Sequence, residues 1–173
     1  MPLTKSSIKL PFISLSATIE LKISDEEFTI KAKQFGIDFE RGDTKAKLAD
    51  KIFKKVCRPK IIQPTFIIDY PIDFMPLAKR KEGDERYADV FQFIAGGIEL
   101  VKAYSELNDP FDQEERFKEQ ETMRKKGDKE AQPMDLDFIE ALEYGMPPAG
   151  GVGIGIDRLC MLFTDTKNLF LFG

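Results

Sequence analysis

The chain has 173 residues, 42% hydrophobic and 32% charged, with a formal net charge of −4. That balance fits one globular domain able to bury a real core, and it supplies no overall basic field for nucleic acid. Histidine is absent, which excludes Ser-His-Asp and Cys-His triads and any histidine-ligated metal, and leaves carboxylates, Arg, Lys, backbone dipoles or a hard cation for chemistry.

The first 21 residues, MPLTKSSIKLPFISLSATIEL, lack a clean apolar core ending in a small-residue cleavage site, so no signal peptide is read there. No apolar run approaches the ~20 residues of a membrane span. Ser24-Asp25-Glu26-Glu27 has the capping-box pattern, with Phe28, Ala32 and Phe35 at helical spacing until Gly36. Leu48, Ala49, Ile52, Phe53 and Val56 form a second helical stripe, which Pro59 ends. Thr65–Asp69 reads as a strand, and the prolines after it confine the chain to a loop or an edge.

Residues 89–107, DVFQFIAGGIELVKAYSEL, read as a β-hairpin around Gly96-Gly97, because a two-residue primed turn needs positive φ at both positions. Counting outward from that turn pairs Ala95 with Ile98, Ile94 with Glu99 and Gln92 with Val101. Asp109 and Pro110 suit the start of a polar helix that runs to Gly127 and, with few large apolar residues, belongs on the surface. A shorter helix covers about Leu136 to Tyr144. GGVGIGIDRLCML (150–162) then reads as a strand followed by a helix capped by Asp157. Hairpins and helices mix without βαβ alternation, so the expected fold is α+β with an antiparallel sheet flanked by helices.

Two features invite chemistry. Gly151, Gly153 and Gly155 strip one face of a strand, which suits either a flat ring lying on it, with Arg158 stacked at the end, or close packing of another backbone segment. Glu99 and Glu106 lie on one strand but at opposite parity, so only a bulge or strong twist brings both to one site. Together they suit a cation or an ammonium substrate; the alternative is a pair of solvated edge charges. Lys79-Arg80-Lys81 and Arg124-Lys125-Lys126 fit solvated faces or helix ends better than a nucleic-acid contact. Cys57 and Cys160, far apart, form neither a disulfide framework nor a zinc signature and fit a reducing, cytoplasmic setting.

GVGIGIDRL (151–159) resembles motif 3 of the class II aminoacyl-tRNA synthetases. Together with QPTFIIDYPIDFMPLAKRK (63–81), KAYSELNDPFDQEERFKEQ (102–120) and GDKEAQPMDLDFIEALEYGMPP (127–148), it resembles the lysine-specific members over residues 24–173. Residues 1–23 are a divergent N-terminal segment, and motifs 1 and 2 and the anticodon-binding domain find no counterpart in the chain.

The resemblance implies an ATP-dependent ligase that forms lysyl-adenylate with Mg²⁺ and transfers lysine to tRNA(Lys), without membrane or DNA. It implies that Arg158 packs over adenine, with Gly153 and Gly155 beneath the nucleotide. Glu99 binds ATP and, with Gln92, Mg²⁺; Arg158 and Glu99 are then the catalytic pair. Glu106, Lys102 and Gly151 face the substrate lysine, the Glu106 carboxylate receiving its side-chain ammonium. Gln92 and Lys102 depart from the usual glutamate and asparagine. The expectation is a C-terminal catalytic fragment, inactive until a complementing N-terminal half is supplied, with exposed sheet edges; the alternative is a degenerate, non-catalytic paralogue binding nucleotide, lysine or a protein partner.

Overall fold

The computed structural model describes residues 12–14, 30, 32–37, 45–128 and 131–166. The helix expected after Ser24 lies mostly outside these residues; Ile30 and residues 32–34 are helical, and positive φ at Gly36 ends the segment. Strand β1 (Phe12–Ser14) runs parallel to β2 (Thr65–Ile68), and the other strand pairings among the described residues are antiparallel. Between them, α1 (Lys45–Ile52) carries the expected apolar stripe and passes into a π-helical turn, Phe53–Cys57, before Pro59.

Short strands β3 (Tyr70–Pro71), β4 (Arg80–Lys81) and β5 (Asp84–Ala88) form a small sheet in the order β3-β5-β4. The main sheet adds β6 (Val90–Ala95), β7 (Ile98–Ser105) and, later in the chain, β8 (Gly150–Ile154), in the order β1-β2-β6-β7-β8. Helices α2 (Pro110–Lys125) and α3 (Leu136–Glu143) intervene before β8, and α4 (Ile156–Thr164) follows it. The α+β architecture agrees with the reading from sequence. Among the described residues no helix is long and apolar enough to cross a membrane.

The β6–β7 turn has φ of +61° at Gly96 and +76° at Gly97, the primed geometry its composition demands. A side chain at Gly97 would meet the Pro59 backbone at 3.1–3.2 Å. The two glycine amides donate to the carbonyls of Ile62 and Ile61, which ties the hairpin tip to the chain following α1.

Beyond the turn the register departs from simple counting. Ala95 pairs with Ile98 and Ile94 with Glu99, as expected, but Phe93 pairs with Val101 and Gln92 with Lys102. Leu100 is therefore the extra residue of a β-bulge, and its buried side chain accounts for the slip energetically. Everything after Leu100 changes face: Lys102, Tyr104 and Glu106 now share the side that carries Gln92 and Glu99.

The core lies on that same side. Leu48, Ala49 and Phe53 pack with Ile67, Tyr70 and Ile94, so α1 and its π turn cover β2 and β6, and Tyr104 of β7 packs against the margin of this cluster. On the reverse face, Phe66 meets Phe91 edge-on and Phe93 at a tilt, with ring centroids 5.3 and 5.1 Å apart. Among the described residues β8 is the last strand of the sheet, with Val152 and Ile154 exposed on that reverse face.

Helix α2 is less superficial than its polarity implies, because Gln113, Arg116 and Phe117 are buried beneath it. Its N-cap is Asp109, whose carboxylate accepts from the amides of Phe111 and Asp112, with Pro110 in the first turn, as expected. The start of α4 differs from the reading above. Gly155, not Asp157, is the N-cap, and Asp157 lies inside the first turn, where a carboxylate favours the helix dipole without capping.

Candidate active site

The bulge and the strand register assemble one surface from distant residues. Gln92 on β6, Lys102 on β7 and Gly153 on β8 are successive cross-strand partners, so they form a row across these three strands. Glu99 lies on the same face, one bulge away. Gln92, Glu99 and Lys102 line a cavity of about 380 Å³, closed on its other side by α1 and the segment Tyr70–Pro76.

Glu99 stands between two guanidinium groups. Arg58 and Arg158 each approach its carboxylate at 3.8 Å, one to each oxygen, and Arg158 also donates to the Glu99 carbonyl at 3.0 Å. Arg158 reaches β7 by running back over Gly155, where a Cβ would sit 3.2 Å from its Cδ. The Gly155 amide donates to the carbonyl of Leu100 at 2.9 Å, so the bulge itself holds the turn from which Arg158 springs. The guanidinium remains half-exposed, free to stack on a planar group.

The three alternate glycines have three different local reasons. Gly155 clears space for Arg158. Gly151 clears space for Glu106, whose carboxylate a methyl group would strike. Only Gly153 is open floor, with nothing nearer to an added Cβ than the Lys102 carbonyl at 3.8 Å. Neither reading of the bare strand covers all three, since two of them accommodate side chains of the chain itself.

Glu106 stands apart from the Glu99 group. It lies beyond the end of β7, its amide donating to the Ala149 carbonyl at 3.0 Å, and its side chain lines a smaller cavity of about 220 Å³ with Lys79, Ser105 and Pro148. Four residues of strand separate it from Lys102, or about 13 Å. Gly151 and Glu106 thus form one subsite, and Gln92, Glu99, Lys102 and Arg158 another, with Tyr104 between them on the shared face. Burial, followed by the neighbouring Glu106 carboxylate, holds the Tyr104 phenol above its ordinary pKa.

Two members of the site carried no signal in the sequence. Tyr70 donates its hydroxyl to the Gln92 side-chain oxygen, and its pKa is raised, first by burial and then by Glu99 and Asp50. Arg58 reads only as a basic residue at a helix end, and its contact with Glu99 bridges 41 positions of sequence that no local pattern connects.

A magnesium ion held by Glu99 and Gln92 does not fit this donor set. A hard divalent cation wants oxygen ligands, at least one or two of them carboxylates free to bind. Here the one carboxylate is already flanked by two guanidinium groups, the amide oxygen accepts from Tyr70, and the Lys102 ammonium occupies the same face. Among the described residues no group of three or more Asp, Glu or Cys is arranged to hold a metal.

The sequence profile of the class II tRNA synthetases (D, K and N) matches residues 4–170. The chain belongs to that family. It is 48% identical over 150 residues to the lysine–tRNA ligase of Pelotomaculum thermopropionicum, covering 86% of this chain and 30% of that protein. It is 51% identical over 134 residues to the lysine–tRNA ligase of Chloroflexus aurantiacus, covering 78% and 27% respectively. With the lysine–tRNA ligase of Listeria monocytogenes, identity is 47% over 146 residues, covering 84% and 29%. The chain therefore spans somewhat under a third of the length of the curated relatives it matches.

Proposed function

We propose that these residues form the adenylate-forming face of a lysine–tRNA ligase, binding ATP and lysine for transfer to tRNA(Lys) in the cytoplasm. The observation that carries this reading is the row from Gln92 through Lys102 to Gly153, with Arg158 anchored on Glu99 at one end and Glu106 beside Gly151 at the other. A ring on the Gly153 floor has Arg158 for one stacking face and the Arg58–Lys102 region for its phosphates. A lysine lying along β7 presents its ammonium to Glu106, a charge-assisted contact that a neutral side chain cannot make.

The substrate carboxylate is already a nucleophile, so the site needs no histidine base. Attack at the α-phosphate forms a carboxyl–phosphate bond and expels pyrophosphate. The protein's share is to align the two groups and offset charge on the phosphates. We further propose that residues 24–173 correspond to the C-terminal part of such a catalytic domain, since the matched relatives are about three times as long as the chain.

Calorimetric titration with ATP tests the nucleotide reading: the wild-type chain binds, and Arg158→Ala weakens binding about tenfold or more through the lost stack and charge. Equal, undetectable heats from both would refute it. Lysine-dependent pyrophosphate–ATP exchange tests the enzyme reading. Exchange is expected from a polypeptide that joins this chain to the remainder of a relative's catalytic domain, and its absence there would refute that reading.

A further inference from the structure

Lys102 holds a charge that no described neighbour meets in direct contact, while Glu99 and Asp50 act on it from a distance. It is half-buried, lines the large cavity, and among the described residues makes no hydrogen bond or ion pair. The other lysines of that cavity are matched: Lys47 to Asp128 at 2.8 Å, and Lys54 to Asp50 at 2.6 Å. Withdrawing an ammonium from water without a partner is costly, and such a group ordinarily finds a carboxylate or moves out to solvent. Gln92, its cross-strand partner, offers only a neutral amide whose oxygen is engaged by Tyr70.

With Arg58 and Arg158 flanking Glu99, the cavity and its rim carry five cations (Lys47, Lys54, Arg58, Lys102 and Arg158) against four carboxylates (Asp50, Asp73, Glu99 and Asp128), an excess of one positive charge. That excess repels a divalent metal and attracts a polyanion. The glycine floor adjoining it accepts a planar ring, and the pairing of a ring with several negative charges describes a nucleoside polyphosphate. We propose that Lys102 is a tethered cation that does the phosphate-neutralising work of a metal, so that this site binds nucleoside polyphosphate without magnesium. The proposal rests on the nucleotide reading given above. Burial already pushes the Lys102 pKa down, with Glu99 and Asp50 opposing the shift; an arriving phosphate would supply the counter-charge that the empty face lacks.

The test is calorimetric titration of the full chain with ATP, once in EDTA and once in excess Mg²⁺. The two affinities are expected to agree within about threefold. In EDTA, Lys102→Met should bind at least about tenfold more weakly, while Lys102→Arg, which keeps the charge, stays within about threefold of wild type. Adenosine, which has no phosphates, should bind Lys102→Met and wild type alike. The double variant Gln92→Glu, Lys102→Asn offers two carboxylates and no ammonium, and should bind ATP only when Mg²⁺ is present. Thermal melts of each variant establish that weaker binding is not unfolding. Wild-type binding that appears only with Mg²⁺, or a Lys102→Met variant that matches wild type in EDTA, overturns the tethered cation and leaves the nucleotide reading standing. No ATP binding in either buffer overturns both.

Discussion

Arg116 under α2 and Lys102 on β7 are two cations drawn away from water in opposite ways. Arg116 is 5% exposed, and its charge is fully met. The Asp112 carboxylate takes two parallel bonds at 2.9 and 2.6 Å, and the Ala78 carbonyl a third at 2.6 Å. Among the described residues Lys102 meets no such partner, and it faces a cavity. The bidentate geometry that makes Arg116 tolerable also fixes it, so that it ties α2 to the segment leading into β4. What separates a structural cation from one held for a ligand is the number of protein groups that answer it, and burial alone does not distinguish them.

The sharpest way to break this contrast is Arg116→Met. It removes the charge but keeps much of the bulk, leaving the Ala78 carbonyl unsatisfied and Asp112 with only the more distant Arg80, at 3.6 Å. Losing one partner of a buried pair costs about 3 kcal/mol, read as a lower urea midpoint at unchanged slope. A loss below about 1 kcal/mol, the range of a surface pair, would mean that Arg116 holds nothing in place.

A second effect comes from pH. Hydrogen bonds from Arg116, ahead of its plain charge and that of Arg80, hold the Asp112 carboxyl below its ordinary value. Between the two pKa values the unfolded chain binds the extra proton, so stability rises with pH there. The contribution is complete above about pH 3.9, the unfolded value, and disappears as the pH falls through the lower folded one. Asp112→Asn should therefore be less stable than wild type at neutral pH and converge on it in acid. Chemical denaturation at several pH values checks this, and parallel curves would show that the Arg116 pair contributes nothing to stability.

The same division between local and distant partners governs how much of this molecule was legible beforehand. The helices, the Gly96-Gly97 turn and the Asp109 cap follow from neighbours a few residues apart, where period, cap and turn chemistry act. The bulge at Leu100 does not, because its slip is set by packing across the sheet, and simple counting put Gln92 opposite Val101 in place of Lys102. That one residue decides whether Lys102 and Glu106 face the site at all. The sequence did show that Glu99 and Glu106 needed such a bulge to share a face, but nothing local placed it. Arg58 and Tyr70 stayed invisible for the same reason, and Asp157 looked like a cap because a carboxylate suits both the cap and the first turn.

The smallest effect bears on Lys102 itself. If its ammonium is kept for a ligand and not for the fold, the free protein is better off without it. Lys102→Met should raise stability by about 1 kcal/mol, or roughly 2–4 °C in melting temperature, the opposite sign to Arg116→Met. The gain should also shrink as the pH rises. Burial holds the Lys102 pKa below its ordinary value, so above the folded value the native chain has released a proton that the unfolded chain keeps until about pH 10.4. Wild-type stability therefore climbs relative to Lys102→Met across that window. Tyr70 and Tyr104, whose raised pKa values lower stability at the alkaline end, are present in both proteins and cancel in the difference. Paired thermal melts from pH 7.5 to 10 read the sign directly. A Lys102→Met variant that melts below wild type at neutral pH would place Lys102 with Arg116, as a cation the fold depends on, and would erase the distinction between them.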